Sequence, residues 1–238
     1  MKKQLLAGLL AAAAFSSAHA LTTGDIAFTS FNADEDGFAI VAFTNIAANT
    51  TIYFRDDSWN GAAFGATEGV YTWNSGTSVI NAGTVVRFSA VDAAGRSASF
   101  GSIAWSGANV GLSATSETIY AFTGVDANTP ASFLTAVSTE GAATVTVAGL
   151  ANGVNAVVLT ASTDYAEYTG TRSGELSFGA YRPMVNNPGN WNILVGGAQQ
   201  AQIPNTTAFT ISPIPEPETW GMLLAGLGLL GAVARRRG

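Results

Sequence analysis

The sequence predicts an all-β domain, most simply an antiparallel β-sandwich with a jelly-roll-like arrangement as the alternative, followed by one C-terminal transmembrane helix. Short runs of β-branched and aromatic residues recur between residues 21 and 211, separated by Gly, Asn, Asp and Ser. Several runs alternate polar and apolar side chains, which is typical of strands with one buried face. Because no ten-residue helical periodicity appears before the tail, short strands in two layers are favoured.

Twelve strands are predicted along the domain. They lie at residues 26–31, 38–46, 51–54, 70–73, 84–91, 98–103, 118–122, 131–138, 143–150, 156–160, 175–181 and 208–211. Residues 38–43 are apolar on both faces and suit a central strand, whereas 84–89 and 144–147 alternate. An outer-membrane barrel is disfavoured, because its strands need about ten residues each and most of these runs are shorter.

The N-terminus has the three parts of a secretory signal peptide at residues 1–20. Two lysines are followed by an apolar run, and Ala18 and Ala20 form a small-x-small cleavage site. An uncleaved anchor or a core helix is the alternative interpretation, but the run is short for a membrane span. We therefore expect export and removal of these residues by signal peptidase.

The composition of the expected mature chain excludes several kinds of chemistry. The sequence has no cysteine, its one histidine is His19, and its lysines are Lys2 and Lys3. Removal of the signal peptide leaves no Ser-His or Cys-His pair, no imidazole metal ligand and no Schiff-base lysine. Residues 21–214 contain fourteen acidic and five basic residues, a net charge of −9. Such a charge disfavours nucleic acid as a partner.

The C-terminus changes abruptly in composition. Residues 212–219 are a Pro-rich linker, 220–234 an uncharged helix, and 235–238 a basic tail predicted to be cytoplasmic. Fifteen helical residues span about 22 Å, less than a hydrocarbon core of about 30 Å. Trp220 and the terminal arginines extend the span at its two interfaces. A buried helix of the domain is the alternative, but the segment has no polar face.

The tail resembles the PEP-CTERM sorting signal. The resemblance rests on Pro215, Glu216 and Pro217, the apolar helix after them, and the terminal cluster formed by Arg235, Arg236 and Arg237. It implies a Gram-negative source and an exosortase-type membrane enzyme as the processing partner. It further implies that the protein is transiently anchored in the inner membrane and then delivered to the outer surface or the medium. Proteins of this kind are associated with exopolysaccharide and biofilm.

The central domain shows a fainter resemblance. Residues 24–38, 51–54 and 56–59 resemble secreted bacterial β-domains without assigned activity, and more distantly lamin-tail-type sandwiches. This resemblance supports the fold class and implies no chemistry.

An acidic turn is the candidate calcium site. Asn32, Asp34, Asp36 and the glycine that follows match the first half of a calcium-binding loop. The second half fails, since Phe43 stands where a bidentate Glu belongs, and a plain hairpin turn is the alternative interpretation. Asp56 and Asp57 would complete the site if their loop lies nearby. No cofactor is expected, unless this turn binds calcium.

Two further kinds of site are considered. Trp59 and Trp191 lie in turn-rich contexts beside polar residues and are candidates for stacking on sugars, with a place in the core as the alternative. An enzyme with this composition would depend on paired carboxylates, as glycoside hydrolases do. The candidates stand in no recognisable motif and are Glu68, Glu117, Glu140, Asp164, Glu167 and Glu175.

The sequence as a whole predicts an exported, exosortase-sorted, non-catalytic protein of the cell surface or extracellular matrix. The alternative is a module that binds carbohydrate or calcium, and a carboxylate-dependent glycoside hydrolase comes third. Signal peptidase, an exosortase and extracellular polysaccharide are the expected partners.

Overall fold

Two six-stranded sheets form in the computed structural model, which describes residues 20–107, 109, 111–212, 224–227 and 235. The strands are β1 (Ile26–Asn32), β2 (Gly37–Ala42), β3 (Thr51–Arg55), β4 (Gly69–Asn74), β5 (Val85–Ser89), β6 (Ser97–Ala98), β7 (Ser102–Gly107), β8 (Thr118–Asp126), β9 (Thr129–Ser138), β10 (Ala156–Val158), β11 (Thr163–Tyr168) and β12 (Trp191–Val195). The first sheet has the order β12-β11-β1-β2-β5-β6 and the second β10-β9-β8-β3-β4-β7. Neighbouring strands are antiparallel except β9 and β10, which are parallel.

The helices are short. They are α1 (Ala142–Val147), α2 (Arg182–Val185) and two 3₁₀ turns at Phe178–Tyr181 and Pro188–Asn190.

Aromatic side chains from both sheets form the core between them. The ring centroid of Phe38 in β2 lies 4.9 Å from that of Phe54 in β3 and 4.7 Å from that of Phe88 in β5. Trp73 in β4 meets Phe88 edge to face at 5.5 Å. Because β2 and β5 belong to one sheet and β3 and β4 to the other, the Phe38–Phe54 and Trp73–Phe88 contacts join the two layers. The predicted all-β, two-layer fold class is confirmed.

A second apolar cluster covers the outer face of the second sheet. Tyr120 and Phe122 of β8 pack there with Val145 of α1, and Trp59 and Phe64 from the loop after β3 pack against them. This loop therefore lies over the sheet, and its position shapes the end of β3 described below.

Residues 143–150, predicted as a strand, instead contain helix α1. The helix lies in the connection between β9 and β10, which run parallel, and parallel strands need a crossover of a dozen or more residues. Its Val145 is fully buried while Val147 is 42 % exposed. A strand with alternating faces would bury both valines, so the Thr-Val alternation misled the prediction.

Two other predicted strands are absent from the described residues. Most of residues 175–181 form a 3₁₀ turn, and residues 208–211 contribute a single bridge between Ile211 and Glu175. The latter segment still closes the core, because Phe209 is buried and stacks on Tyr168 with ring centroids 5.8 Å apart.

The two ends of the chain are described only in part. Residues 1–19, which include Ala18, lie outside the described residues, and so do Pro215, Glu216, Pro217, Arg236 and Arg237. Of the predicted helix at 220–234, residues 224–227 are described and are helical, with Leu224 and Leu227 exposed. Within the described ranges, none of the helices is long and apolar enough to cross a membrane.

Candidate functional site

Three acidic residues meet at one end of the second sheet. Asp56 directly follows β3, Glu68 directly precedes β4, and Glu117 directly precedes β8. Strand β3 lies between β4 and β8 and is antiparallel to both, so its end meets their beginnings. One carboxylate oxygen from each of the three residues lies within 4.8 Å of the other two. We call these three residues the acidic cluster.

The alternation of β3 turns Asp56 toward the core. Ile52 and Phe54 of this strand belong to the core between the sheets, and Asp56 continues the same alternation. Glu117 likewise precedes Ile119, an inward residue of β8. Asp56 and Glu117 are each 4 % exposed, whereas Glu68 is intermediate in exposure. The acidic cluster therefore closes the core at this end, and Glu68 forms its side toward solvent.

An ion pair on the opposite face of β3 fixes the backbone around the acidic cluster. The Nε and Nη2 groups of Arg55 donate to Asp57 Oδ2 at 2.9 and 2.8 Å, and both side chains are almost fully buried. Nη2 also donates to the carbonyl of Gly65 at 2.6 Å. Nη1 donates to Asn128 Oδ1 at 2.6 Å and to the carbonyl of Ala127 at 3.1 Å. All five guanidinium N–H groups thus have partners.

Asp57 also holds the backbone at Glu68 in place. Its Oδ1 accepts from the backbone N–H groups of Thr67 at 3.0 Å and of Glu68 at 3.2 Å. Because Arg55 also binds Gly65, the segment before β4 is fastened to the end of β3 at several points. Asp57, predicted as a metal ligand, has its carboxylate engaged in these contacts and positions Glu68 beside Asp56.

Burial and mutual repulsion raise the pKa values of the acidic cluster. Burial, with the charges of Glu68 and Asp57 as lesser causes, raises the pKa of Asp56 to about 7. Burial, together with the charges of Asp56 and Glu68, raises the pKa of Glu117 to about 8, against the lowering effect of the Ser113 backbone N–H. The pKa of Glu68 is raised by burial and by Asp57 and Glu140. Each carboxyl therefore resists becoming a free anion in this position.

The three carboxyls differ in their hydrogen bonds. Glu117 accepts from the backbone N–H groups of Ser113 at 2.7 Å and Thr118 at 3.1 Å. Both oxygens of Asp56 are buried and accept no hydrogen bond from another described residue. Arg55, whose charge lowers the pKa of Asp56, is engaged by Asp57 on the other face. Such a cluster can hold protons, or it can provide hard oxygen ligands for a divalent cation.

The turn predicted to bind calcium is bonded within the protein. Asn32 Oδ1 accepts from the backbone N–H groups of Asp34 and Glu35, which is the bonding of a turn between β1 and β2. Asp34 Oδ2 accepts from the backbone of Gln199 at 2.6 Å. Asp36 Oδ1 accepts from the backbone of Leu112, and burial raises the pKa of Asp36 to about 6. These contacts match the alternative interpretation of the segment as a plain turn.

Among the described residues, the acidic cluster combines parts of two sequence predictions. Asp56 was a predicted metal ligand, whereas Glu68 and Glu117 were named only as candidate carboxylates of a hydrolase. The turn residues Asn32, Asp34 and Asp36 lie outside the cluster. No motif joins the three members, and only the pairing of β3 with β4 and β8 could have revealed them.

The two tryptophans predicted to stack on sugars pack within the domain. Trp191 is buried, and its Nε1 donates to the carbonyl of Val185 at 2.7 Å, so its ring face is not open to a ligand. This corrects the prediction, and the turn-rich sequence around Trp191 is the start of β12. Trp59 is half-buried against Phe64 and Phe133, with ring centroids 4.8 and 5.2 Å away.

The fold and the site together define an all-β domain with a buried acidic cluster at one end of a sheet. The tail identifies the kind of protein more closely, since residues 213–237 match the PEP-CTERM protein-sorting motif. The chain therefore carries a PEP-CTERM sorting tail, and the motif implies export, processing by an exosortase at the membrane and surface localisation. The match covers only the tail and assigns no activity to the domain. No curated protein and no solved structure matches the chain.

Proposed function

We propose that the protein is a non-catalytic component of the cell surface or extracellular matrix, delivered there by its sorting tail and associated with exopolysaccharide in a biofilm. The observation that carries this proposal is the sorting motif at residues 213–237, joined to a domain with few reactive side chains. Between residues 20 and 212 the chain has no histidine, cysteine or lysine. Binding and structural roles need none of these residues.

The geometry of the acidic cluster also favours a non-catalytic role. A glycoside hydrolase places two carboxyl groups on either side of the scissile bond, about 5 to 9.5 Å apart. Here one oxygen of each carboxyl group lies within 4.8 Å of the other two, and Asp56 and Glu117 are buried. A polysaccharide would have to reach two buried carboxyl groups to be cleaved by them.

A binding module is the second candidate function. Trp191 no longer supports a sugar-binding function, because its ring is buried. Binding of a cation is favoured by the acidic cluster. Its three carboxylates lie close together, and the guanidinium of Arg55 pairs with Asp57 instead of lying between them. Structural and binding roles are compatible, because a matrix protein can bind components of the matrix.

The sorting route can be tested through the terminal arginines. Replacing Arg235, Arg236 and Arg237 by glutamine removes the charges that hold the C-terminus in the cytoplasm. In the native host we expect the unaltered protein outside the cell, with a mass that starts at Leu21 and ends near residues 215–218. The variant is expected to accumulate in the membrane fraction and to retain residues 220–238.

Replacing the same three arginines by lysine is the matched control, and it keeps the positive charge. Intact mass spectrometry of the membrane, periplasmic and external fractions measures all three proteins. An unaltered protein that keeps residues 220–238 in the inner membrane would contradict delivery to the surface. Depolymerisation of the host polysaccharide by the purified protein would contradict the non-catalytic role, whereas co-fractionation with intact polysaccharide supports it.

A further inference from the structure

We propose that Asp56, Glu68 and Glu117 bind one divalent cation, for which calcium is the best fit, and that the ion ties the ends of β3, β4 and β8 together. The proposal goes beyond the matrix role and is independent of it, because it concerns only the end of the second sheet. It rests on three observations, which are the buried oxygens of Asp56, the excess negative charge of the cluster and the spacing of the oxygens.

Asp56 is the strongest of these observations. It is 4 % exposed, and neither of its buried carboxylate oxygens accepts a hydrogen bond from another described residue. Buried polar groups in native proteins are nearly always partnered, and a buried carboxylate without a partner is strongly unfavourable. The orphan oxygens of Asp56 belong to the same group of ligand atoms as those of Glu68 and Glu117. A cation at this point would satisfy them.

The charges of the surroundings lead to the same conclusion. Arg55 is the cation nearest to Asp56 along the chain, and its N–H groups are taken by Asp57, Asn128 and backbone carbonyls on the other face of β3. The remaining charged neighbours that act on the cluster are the acids Asp57 and Glu140. The charge of Arg55 and the backbone bonds to Glu117 therefore offset only part of the repulsion among the carboxylates, because burial and the neighbouring acids still raise the pKa values of Asp56 and Glu117, and a divalent ion would offset the rest.

The ligand atoms determine which ion fits. Carboxylate oxygens are hard ligands, and calcium takes six to eight oxygens at about 2.4 Å. Two oxygens bound to one such ion can lie at most about 4.8 Å apart, and the three oxygens here lie within 4.8 Å of one another. Magnesium, with ligands at about 2.1 Å and an octahedral shell, demands a tighter arrangement. Glu68, which is partly exposed, gives the ion a route from solvent.

Thermal unfolding of the full-length protein, purified in detergent, tests the site. Extracellular calcium modules bind with dissociation constants of about 10⁻⁴ to 10⁻³ M. At the tighter limit, 10 mM calcium is a hundredfold excess, which raises the Tm by about 5–10 °C over the value in EDTA. Titration calorimetry with calcium chloride is expected to give one bound ion per chain. Magnesium at the same concentration is expected to give a smaller shift.

Two variants assign the effect to the acidic cluster. Asp56→Asn and Glu117→Gln keep the shape of each side chain and remove one charge, so both should lose most of the calcium shift. In EDTA their Tm is expected to equal or exceed that of the unaltered protein, because one repelling buried charge is gone. Asp126→Asn is the control, since Asp126 is exposed and lies outside the cluster. It should keep the full shift.

Two outcomes would overturn the proposal. One is an unaltered protein that shows neither a calcium shift nor calcium binding by calorimetry, which would mean that the cluster holds protons instead. The other is an Asp56→Asn variant with the same shift as the unaltered protein, which would place calcium elsewhere. The calorimetric result on the unaltered protein decides the matter even if a variant fails to fold. Neither outcome affects the sorting experiment.

Discussion

Replacing Arg55 by methionine is expected to lower the free energy of unfolding by about 3–5 kcal/mol, because it leaves Asp57 as a buried charge without its partner. The guanidinium makes two bonds to Asp57 Oδ2, at 2.9 and 2.8 Å, and three more to Gly65, Ala127 and Asn128. Methionine fills a similar volume but donates none of these bonds. The frame that fastens the segment before β4 to β3 is lost with them.

Urea denaturation measures this effect, with the midpoint and the m-value compared between proteins. Arg96→Met is the matched control, because the Arg96 guanidinium lies over the Trp105 ring at 5.3 Å and forms no ion pair among the described residues. We expect its loss to be about 1 kcal/mol or less. The double replacement Arg55→Met, Asp57→Leu should be less destabilised than the sum of the single changes. A loss below about 1 kcal/mol for Arg55→Met would show that the pair contributes little.

The central strands were predictable because their patterns are local. A strand was predicted at residues 51–54, and β3 is observed at Thr51–Arg55. A second was predicted at residues 70–73, and β4 is observed at Gly69–Asn74. In both segments apolar side chains recur at every second position, as burial of one face requires. Such a pattern belongs to the strand itself and needs no knowledge of its neighbours.

Other elements depended on their neighbours and were missed. Strands β11 and β12 carry polar residues such as Glu167 and Asn192, so their sequences lack a continuous apolar signal. They form because β11 pairs with the edge of β1 that does not pair with β2, and β12 in turn pairs with β11. The segment of helix α1 was predicted as a strand. The parallel pairing of β9 with β10 requires a crossover between them, and this pairing cannot be seen in the segment's own sequence.

The candidate site shows the same limit more strongly. Asp56 and Glu68 lie at the two ends of the β3–β4 loop, Glu117 comes much later in the chain, and all three stand in ordinary loop contexts. Strand registers place them together, with Arg55 opposite Val70 of β4 and Tyr120 of β8. A single sequence could name these residues as acids but could not show that their carboxylates converge. The sorting tail, by contrast, is a linear motif, and its resemblance to the PEP-CTERM signal is carried by a continuous stretch of sequence.

Replacing Phe38 by alanine is expected to lower the free energy of unfolding by about 3–5 kcal/mol. Phe38 is 1 % exposed and stands at the centre of the aromatic core. Its ring lies 4.7 Å from Phe88, 4.9 Å from Phe54 and 5.7 Å from Phe28, between centroids. Because these rings come from both sheets, the cavity would open at the interface between the layers. Rigid strands on either side limit the collapse that could fill it.

The matched control is Phe100→Ala, in which the same atoms are removed from a side chain that is 46 % exposed. The carbonyl of Phe100 accepts the Trp73 Nε1–H at 2.8 Å, and this backbone contact is kept in the variant. We therefore expect a loss of about 1 kcal/mol or less for the control. Equal losses for the two variants in urea denaturation would contradict the central place of Phe38. A large loss for Phe38→Ala alone would show that the aromatic core between the sheets contributes strongly to the free energy of unfolding.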